Sequence, residues 1–214
     1  MKKIFYFVLI LCCGLLCGCN TEMKAERMNV VVEKEVFYLG EMMDLNTTFF
    51  VTVVDNNGDT IILDGYDPNG ENGYAIMGIT STVMDAEGQI PLRLQYVVSS
   101  NDKGTYYNYG DILSADTSVE VVKPTASDIK TITLKDIAIG SAFSKKSFEE
   151  LLPLHFGGNI DVELKDGGKY TVSLMSSSWD ILGVDASSDV GQHYTVYAKY
   201  CDVTSDSIKV WVIE

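Results

Sequence analysis

The chain has 214 residues, a formal charge of −14 at neutral pH and a sequence pI near 4.4. A polypeptide this acidic is repelled by nucleic acid and by anionic lipid surfaces, and its dispersed charges serve mainly solubility. Cys12, Cys13, Cys17 and Cys19 crowd the N-terminus, so past Cys19 only Cys201 remains, no disulfide can close, and any fold there rests on its apolar core.

In chain order, Met1-Lys2-Lys3 precedes an apolar run from Ile4 to Leu16. A positive start followed by an apolar stretch of about 7–15 residues is the pattern of an export signal. A spanning helix needs roughly 20 apolar residues, and polar Asn20-Thr21-Glu22 follows in place of a basic stop-transfer cluster. The segment Leu16-Cys17-Gly18-Cys19 resembles the lipobox of bacterial lipoproteins, with an aliphatic residue at −3, a permissive −2, a small residue at −1 and cysteine at +1. The resemblance covers the first twenty residues. It implies a signal peptide over 1–18, cleavage before Cys19, acylation of that cysteine and a lipidated tether over 19–28. At about 0.8 kcal/mol per buried methylene, more than one acyl chain gives a stable anchor. Loss of the leader removes Lys2 and Lys3 and leaves the mature chain two charges more negative. Asn20, in place of the aspartate that retains such proteins in the inner membrane, implies the outer membrane. Glu22 and Glu26 resemble the surface-export signal of gut Bacteroidota, which implies exposure at the cell surface, with the periplasmic face as the alternative.

The remainder reads as β-structure. Alternating or β-branched runs cover Val30–Val36, Phe49–Val54, Thr60–Leu63, Leu92–Val98, Val119–Val122, Ile160–Leu164, Tyr170–Leu174, Tyr194–Tyr200 and Ile208–Ile213. Turn signals at Asn56-Asn57-Gly58-Asp59, Asp67-Pro68-Asn69-Gly70, Asn101-Asp102-Lys103-Gly104 and Asp166-Gly167-Gly168 separate them. At Ser147–Glu150 the spacing fits a capping box and Pro153 follows, which would allow one helical turn, but the segment reads as a structural loop. Cys201 falls in an apolar strand and reads as a buried, inert thiol.

The order of blocks repeats. Val36-Phe37-Tyr38-Leu39-Gly40 matches Asp136-Ile137-Ala138-Ile139-Gly140, and Leu92–Tyr96 matches Val196–Tyr200. The closing strands Ser118–Val121 and Ser207–Val210 also match, and Lys123–Asp128 with Pro124 reads as the linker. Each half resembles the bacterial immunoglobulin-like repeats of surface proteins. Gly191–Val212 carries the best match, through the alternation of Tyr194, Val196, Ala198 and Tyr200. The first half departs from the pattern: Pro91 interrupts its penultimate strand, and residues 64–80 and 99–117 read as insertions. The expected fold is all-β: two tandem immunoglobulin-like β-sandwich domains, 29–123 and 124–214, after a cleaved signal peptide. In that family such modules are stalks, spacers, adhesins or carbohydrate-contacting units.

Chemistry is sparse. His155 and His193 are the only histidines, and there is no H-E-x-x-H or G-x-S-x-G. Asp55–Asp59 and Asp67–Glu71 start like calcium loops, but position 12 counted from Asp55 is Tyr66 rather than the bidentate glutamate, so they read as hairpin turns. No catalytic residue, metal site or cofactor is expected. Tyr66, Tyr74, Tyr106, Tyr107 and Tyr109 lie in the two insertions among Gly, Asn and Asp, and form a candidate binding face, tyrosine giving rigid contact area with a polar tip. The expected function is a non-catalytic cell-envelope lipoprotein for adhesion, glycan binding or surface assembly. Its partners are the membrane, through Cys19, and a glycan or surface protein, with nucleic acid excluded. The alternatives are a small secreted hydrolase or hydrolase accessory using surface carboxylates, and a lipid-anchored inhibitor or immunity protein.

Overall fold

The computed structural model describes residues 23–213 except 99, 102–103, 107, 136–141, 145–157 and 185–186. The leader, the lipobox, Cys19, the Ser147–Glu150 turn and His155 lie outside the described residues. The described first half contains β1 (Ala25–Val32), β2 (Val36–Tyr38), β3 (Phe49–Asp55), β4 (Thr60–Ile62), β5 (Ala75–Met77), β6 (Gly88–Val97), β7 (Ser100–Asn101), β8 (Gly104–Thr105) and β9 (Ile112–Val122). The second contains β10 (Ile129–Lys135), β11 (Ala142–Ser144), β12 (Asn159–Leu164), β13 (Lys169–Val172), β14 (Trp179–Leu182), β15 (His193–Tyr200), β16 (Val203–Thr204) and β17 (Ile208–Ile213). No helix occurs among the described residues.

The chain is all-β with immunoglobulin-like sandwich topology, and the pairing scheme is the same in both halves. One sheet is β1-β3-β4 in the first half and β10-β12-β13 in the second; the other is β2-β9-β6-β5 and β11-β17-β15-β14, with β16 added to β15. The short strands β2 and β11 pair parallel to β9 and β17, while all other pairs are antiparallel. Even a register shift recurs, between Ala25 and Arg27 in β1 and between Ile129 and Thr131 in β10. Period-2 alternation supplies two core clusters. Val51, Val53, Leu92, Leu94, Val119 and Val121 fill the first, and Ile160, Val162, Val196, Ala198, Val210 and Val212 the second.

Several expectations are corrected. β1 begins at Ala25, which is buried with Met28 in the first core, so strand occupies what was expected to be tether up to residue 28. Pro91 does not interrupt β6, which runs from Gly88 to Val97 and pairs Pro91 with Ser118. β5 reaches only to Arg93, and the Pro91 carbonyl points to the Gly78 side, away from β9; the ring nitrogen points the same way, where no ladder bond is required. Residues 112–117 are strand β9 rather than insertion. The counterpart of β2 is β11, which begins six residues after Asp136, where the block match would start it: Phe37 pairs with Val121 as Phe143 pairs with Val212. The closing strands accordingly match Val119 with Val210, a slip of two from the sequence alignment.

Cys201 is also relocated. It sits with Asp202 in a two-residue hairpin between β15 and β16, both at positive φ (47° and 64°), and is half-buried. Such a turn needs left-handed backbone at both positions. In the first half the same place is taken by the excursion 98–111.

The halves meet end to end. Phe37 points into the first core, while its neighbour Tyr38 packs against the second. The Tyr38 ring stacks on Tyr170 at 4.2 Å and 14°. The Tyr170 hydroxyl donates to Tyr200 Oη at 3.3 Å, and Tyr200 donates to the Leu39 carbonyl at 2.8 Å. Ser173 N–H donates to the Gly40 carbonyl at 2.9 Å, and Asp85 accepts from Ser176 Oγ and Ser177 N–H. Lys123–Asp128 is a closed turn, in which the Asp128 carboxylate accepts from the Thr125 N–H and hydroxyl.

Candidate functional site

The chain enters the fold at the end of the first half opposite this junction. The Lys24 N–H donates to Asn56 Oδ1 at 2.9 Å, and Asn56 N–H donates back to the Lys24 carbonyl at 2.9 Å. The Asn108 amide straddles Ala25, accepting from its N–H at 3.2 Å and donating to its carbonyl at 3.0 Å. β6 connects the two ends: Gly88 lies on the side of Asp85 and the junction, Val97 on the side of the excursion. Nine residue steps at about 3.3 Å separate them by roughly 30 Å.

The polar turns at the entering end spend their oxygens locally. Asp55 Oδ1 accepts from the N–H groups of Asn57 and Asp59, both at 2.9 Å. The Asp67 carboxylate accepts from Asn69, Glu71 and Asn72 N–H groups at 3.0–3.1 Å. Those amides, Asn72 first, hold Asp67 below the usual carboxylate range. Among the described residues, no three His, Cys, Asp or Glu side chains are grouped as a metal would require.

The five tyrosines do not form one face. Tyr74 and Tyr106, each 1% exposed, belong to the first core. The Tyr74 hydroxyl donates to the Leu45 carbonyl, its ring meets Phe49 edge-on at 6.3 Å, and burial pushes the phenol up to about 12. These two are therefore removed from the candidate face. In polar loops that cross an open sandwich end, the large aromatic residue is what can cover the core. Tyr66 remains exposed and Tyr109 is 67% exposed, while Tyr107 lies outside the described residues.

Among the described residues, the carboxylates with displaced titration are pulled down. Asn46 N–H lowers Asp44, Arg93 lowers Asp116, the Thr125 hydroxyl lowers Asp128 and Lys130 lowers Glu163. A general acid needs the opposite displacement.

A feature that sequence reading missed lies on the outer face of the second half. In β17, Val210 and Val212 point inward, so Trp211 between them points out and is 43% exposed. His193 pairs with it across the ladder, and the two rings stack at 5.7 Å and 25°. The next pair along the same face is Thr195 with Lys209, both exposed, and Tyr197 follows, half-buried. Together they make a shallow aromatic platform edged by a hydroxyl and an ammonium. His193 is thus a surface stacking residue. The signal was present in the sequence as the phase of the Ile208–Ile213 alternation, which places Trp211 opposite to the core.

The chain matches no protein-family model and none of the curated proteins.

Proposed function

We propose that this protein is a non-catalytic lipoprotein of the bacterial outer membrane, anchored through acyl groups on Cys19, that displays a glycan-binding face at the cell surface. The observation that carries the reading is the outward Trp211–His193 pair on the half farther from the point where the chain enters the fold. A sugar ring presents an apolar C–H face to a stacked aromatic surface and hydroxyls to flanking polar groups, here Thr195 and Lys209. β15 supports the placement: Tyr200 at one end touches the first half, and His193 lies seven residues away, about 23 Å along the strand. The two sandwiches would then act as a spacer, with recognition on the second rather than on the tyrosine loops of the first.

A glycan array probed with soluble residues 20–214 tests this. Retention on a subset of glycans, lost in Trp211→Ala and kept in Tyr66→Ala, is the expected result. Retention that survives Trp211→Ala would place recognition elsewhere, and no retention on any glycan would remove the glycan reading.

A further inference from the structure

We infer that the entering end of the first half rests against the lipid surface, with Tyr109 and Ile112 as its contact residues; this builds on the acylation of Cys19. Three observations combine. Met23 already packs against the first core, so at most four residue steps, about 14 Å fully extended, separate the acylated residue from the folded body. The side chains of Asn56 and Asn108 clamp Lys24 and Ala25, which fixes which end of the sandwich faces the anchor. At that end, directly after the clamp residue Asn108, Tyr109 is 67% exposed, and Ile112, where β9 begins, is 62% exposed. Tyrosine is suited to the headgroup level, with an apolar ring and a polar tip.

Charge does not drive this contact. The same end carries Lys24 and Arg27 against Glu26, Asp55, Asp59, Asp67, Glu71 and Asp111, a net acidic set, so charge cannot draw it to the bilayer and the contact with a neutral bilayer is apolar and indifferent to salt. The occupant is the membrane that holds the acyl chains, not a second protein. The short tether makes the approach effectively intramolecular, so a small apolar contact suffices.

The test uses full-length protein acylated in its host and reconstituted in phosphatidylcholine vesicles, with Cys201→Ser as background. An environment-sensitive fluorophore is placed on Thr60→Cys, beside the Asp55–Asp59 hairpin, or on Gln192→Cys, at the far end of β15. Lipid-borne quencher should quench the Thr60 label and spare the Gln192 label, equally at low and high salt. Tyr109→Ser with Ile112→Ser should remove most of that quenching while leaving the urea midpoint and the acyl mass unchanged. Equal quenching at both labels, or quenching unaffected by the double substitution, would overturn the inference while leaving the anchor intact. A chain without the acyl mass that fails to join the vesicles would sink the anchor itself.

Discussion

Gly40 concentrates the constraint at the junction. Its φ of +82° is left-handed, and a Cβ there would fall within 2.6 Å of Ser178 Oγ, Val172 Cγ1 and Ser176 Oγ. Gly40→Ala combines backbone strain with overpacking and should cost about 2–4 kcal/mol in urea unfolding; a change under 0.5 kcal/mol, the scale of an ordinary surface substitution, would show that the junction is loose. Three phenols at this junction, and Tyr74 in the first core at the other end, are shifted upward. Burial is the first cause raising Tyr38, Tyr74, Tyr170 and Tyr200, and the Tyr170–Tyr200 hydrogen bond raises Tyr200 further. For an acid whose folded value is raised, stability is whole below the unfolded value, near 10, and is lost as pH rises through the folded one. Phenolate absorbance followed together with circular dichroism above pH 10 should show these tyrosines ionising in step with loss of structure. Ionisation of all tyrosines with the β-signal intact would contradict their placement. At this scale the sequence was a poor guide: Tyr74 follows Glu71-Asn72-Gly73, and Tyr106 stands beside Tyr107 and near Tyr109 among Gly and Asn, so no alternation shows which ring faces the core.

Elements were more legible. Runs of β-branched residues mark β3, β4, β12, β15 and β17 within about a residue, because there each side chain's fate follows the two-residue period. The repeated order of blocks was also readable, but its register was not. A slip of two residues keeps every side chain on its own face, so matching Val121 with Val210 preserved the pattern while missing the true partner Val212. Short β2 and β11 carry three residues each, too few for a period to show, and β11 was sought six residues early. The start of β1 at Ala25 was hidden because Ala25, Met28 and Val30 are interrupted by Glu26 and Arg27 at a register shift. One consequence belongs to this scale. Tyr38 ends a strand of the first half yet completes the core of the second, so Tyr38→Ala should destabilise the chain by about 2–3 kcal/mol. Residues 124–214 produced alone should melt below the temperature at which the second half unfolds within the full chain. Identical melting of the isolated piece would mean that the stacked pair contributes nothing.

For the whole molecule, two immunoglobulin-like sandwiches joined by a packed junction separate the end where the chain enters the fold from the Trp211 face. All-β class, turn chemistry and the lipobox resemblance were available from the sequence. The proposed placement of recognition was not, because it depends on which end of the first half receives the chain, and that is fixed by the Asn56 and Asn108 clamps between residues 32 and 83 positions apart. The most direct measurement labels intact host cells with a membrane-impermeant maleimide, using Gln192→Cys and Thr60→Cys in the Cys201→Ser background. The account predicts strong reaction at Gln192, weak reaction at Thr60, and both proteins in the membrane fraction until Cys19→Ala releases them. Equal reaction at the two positions, or a protein that remains soluble with Cys19 intact, would contradict it.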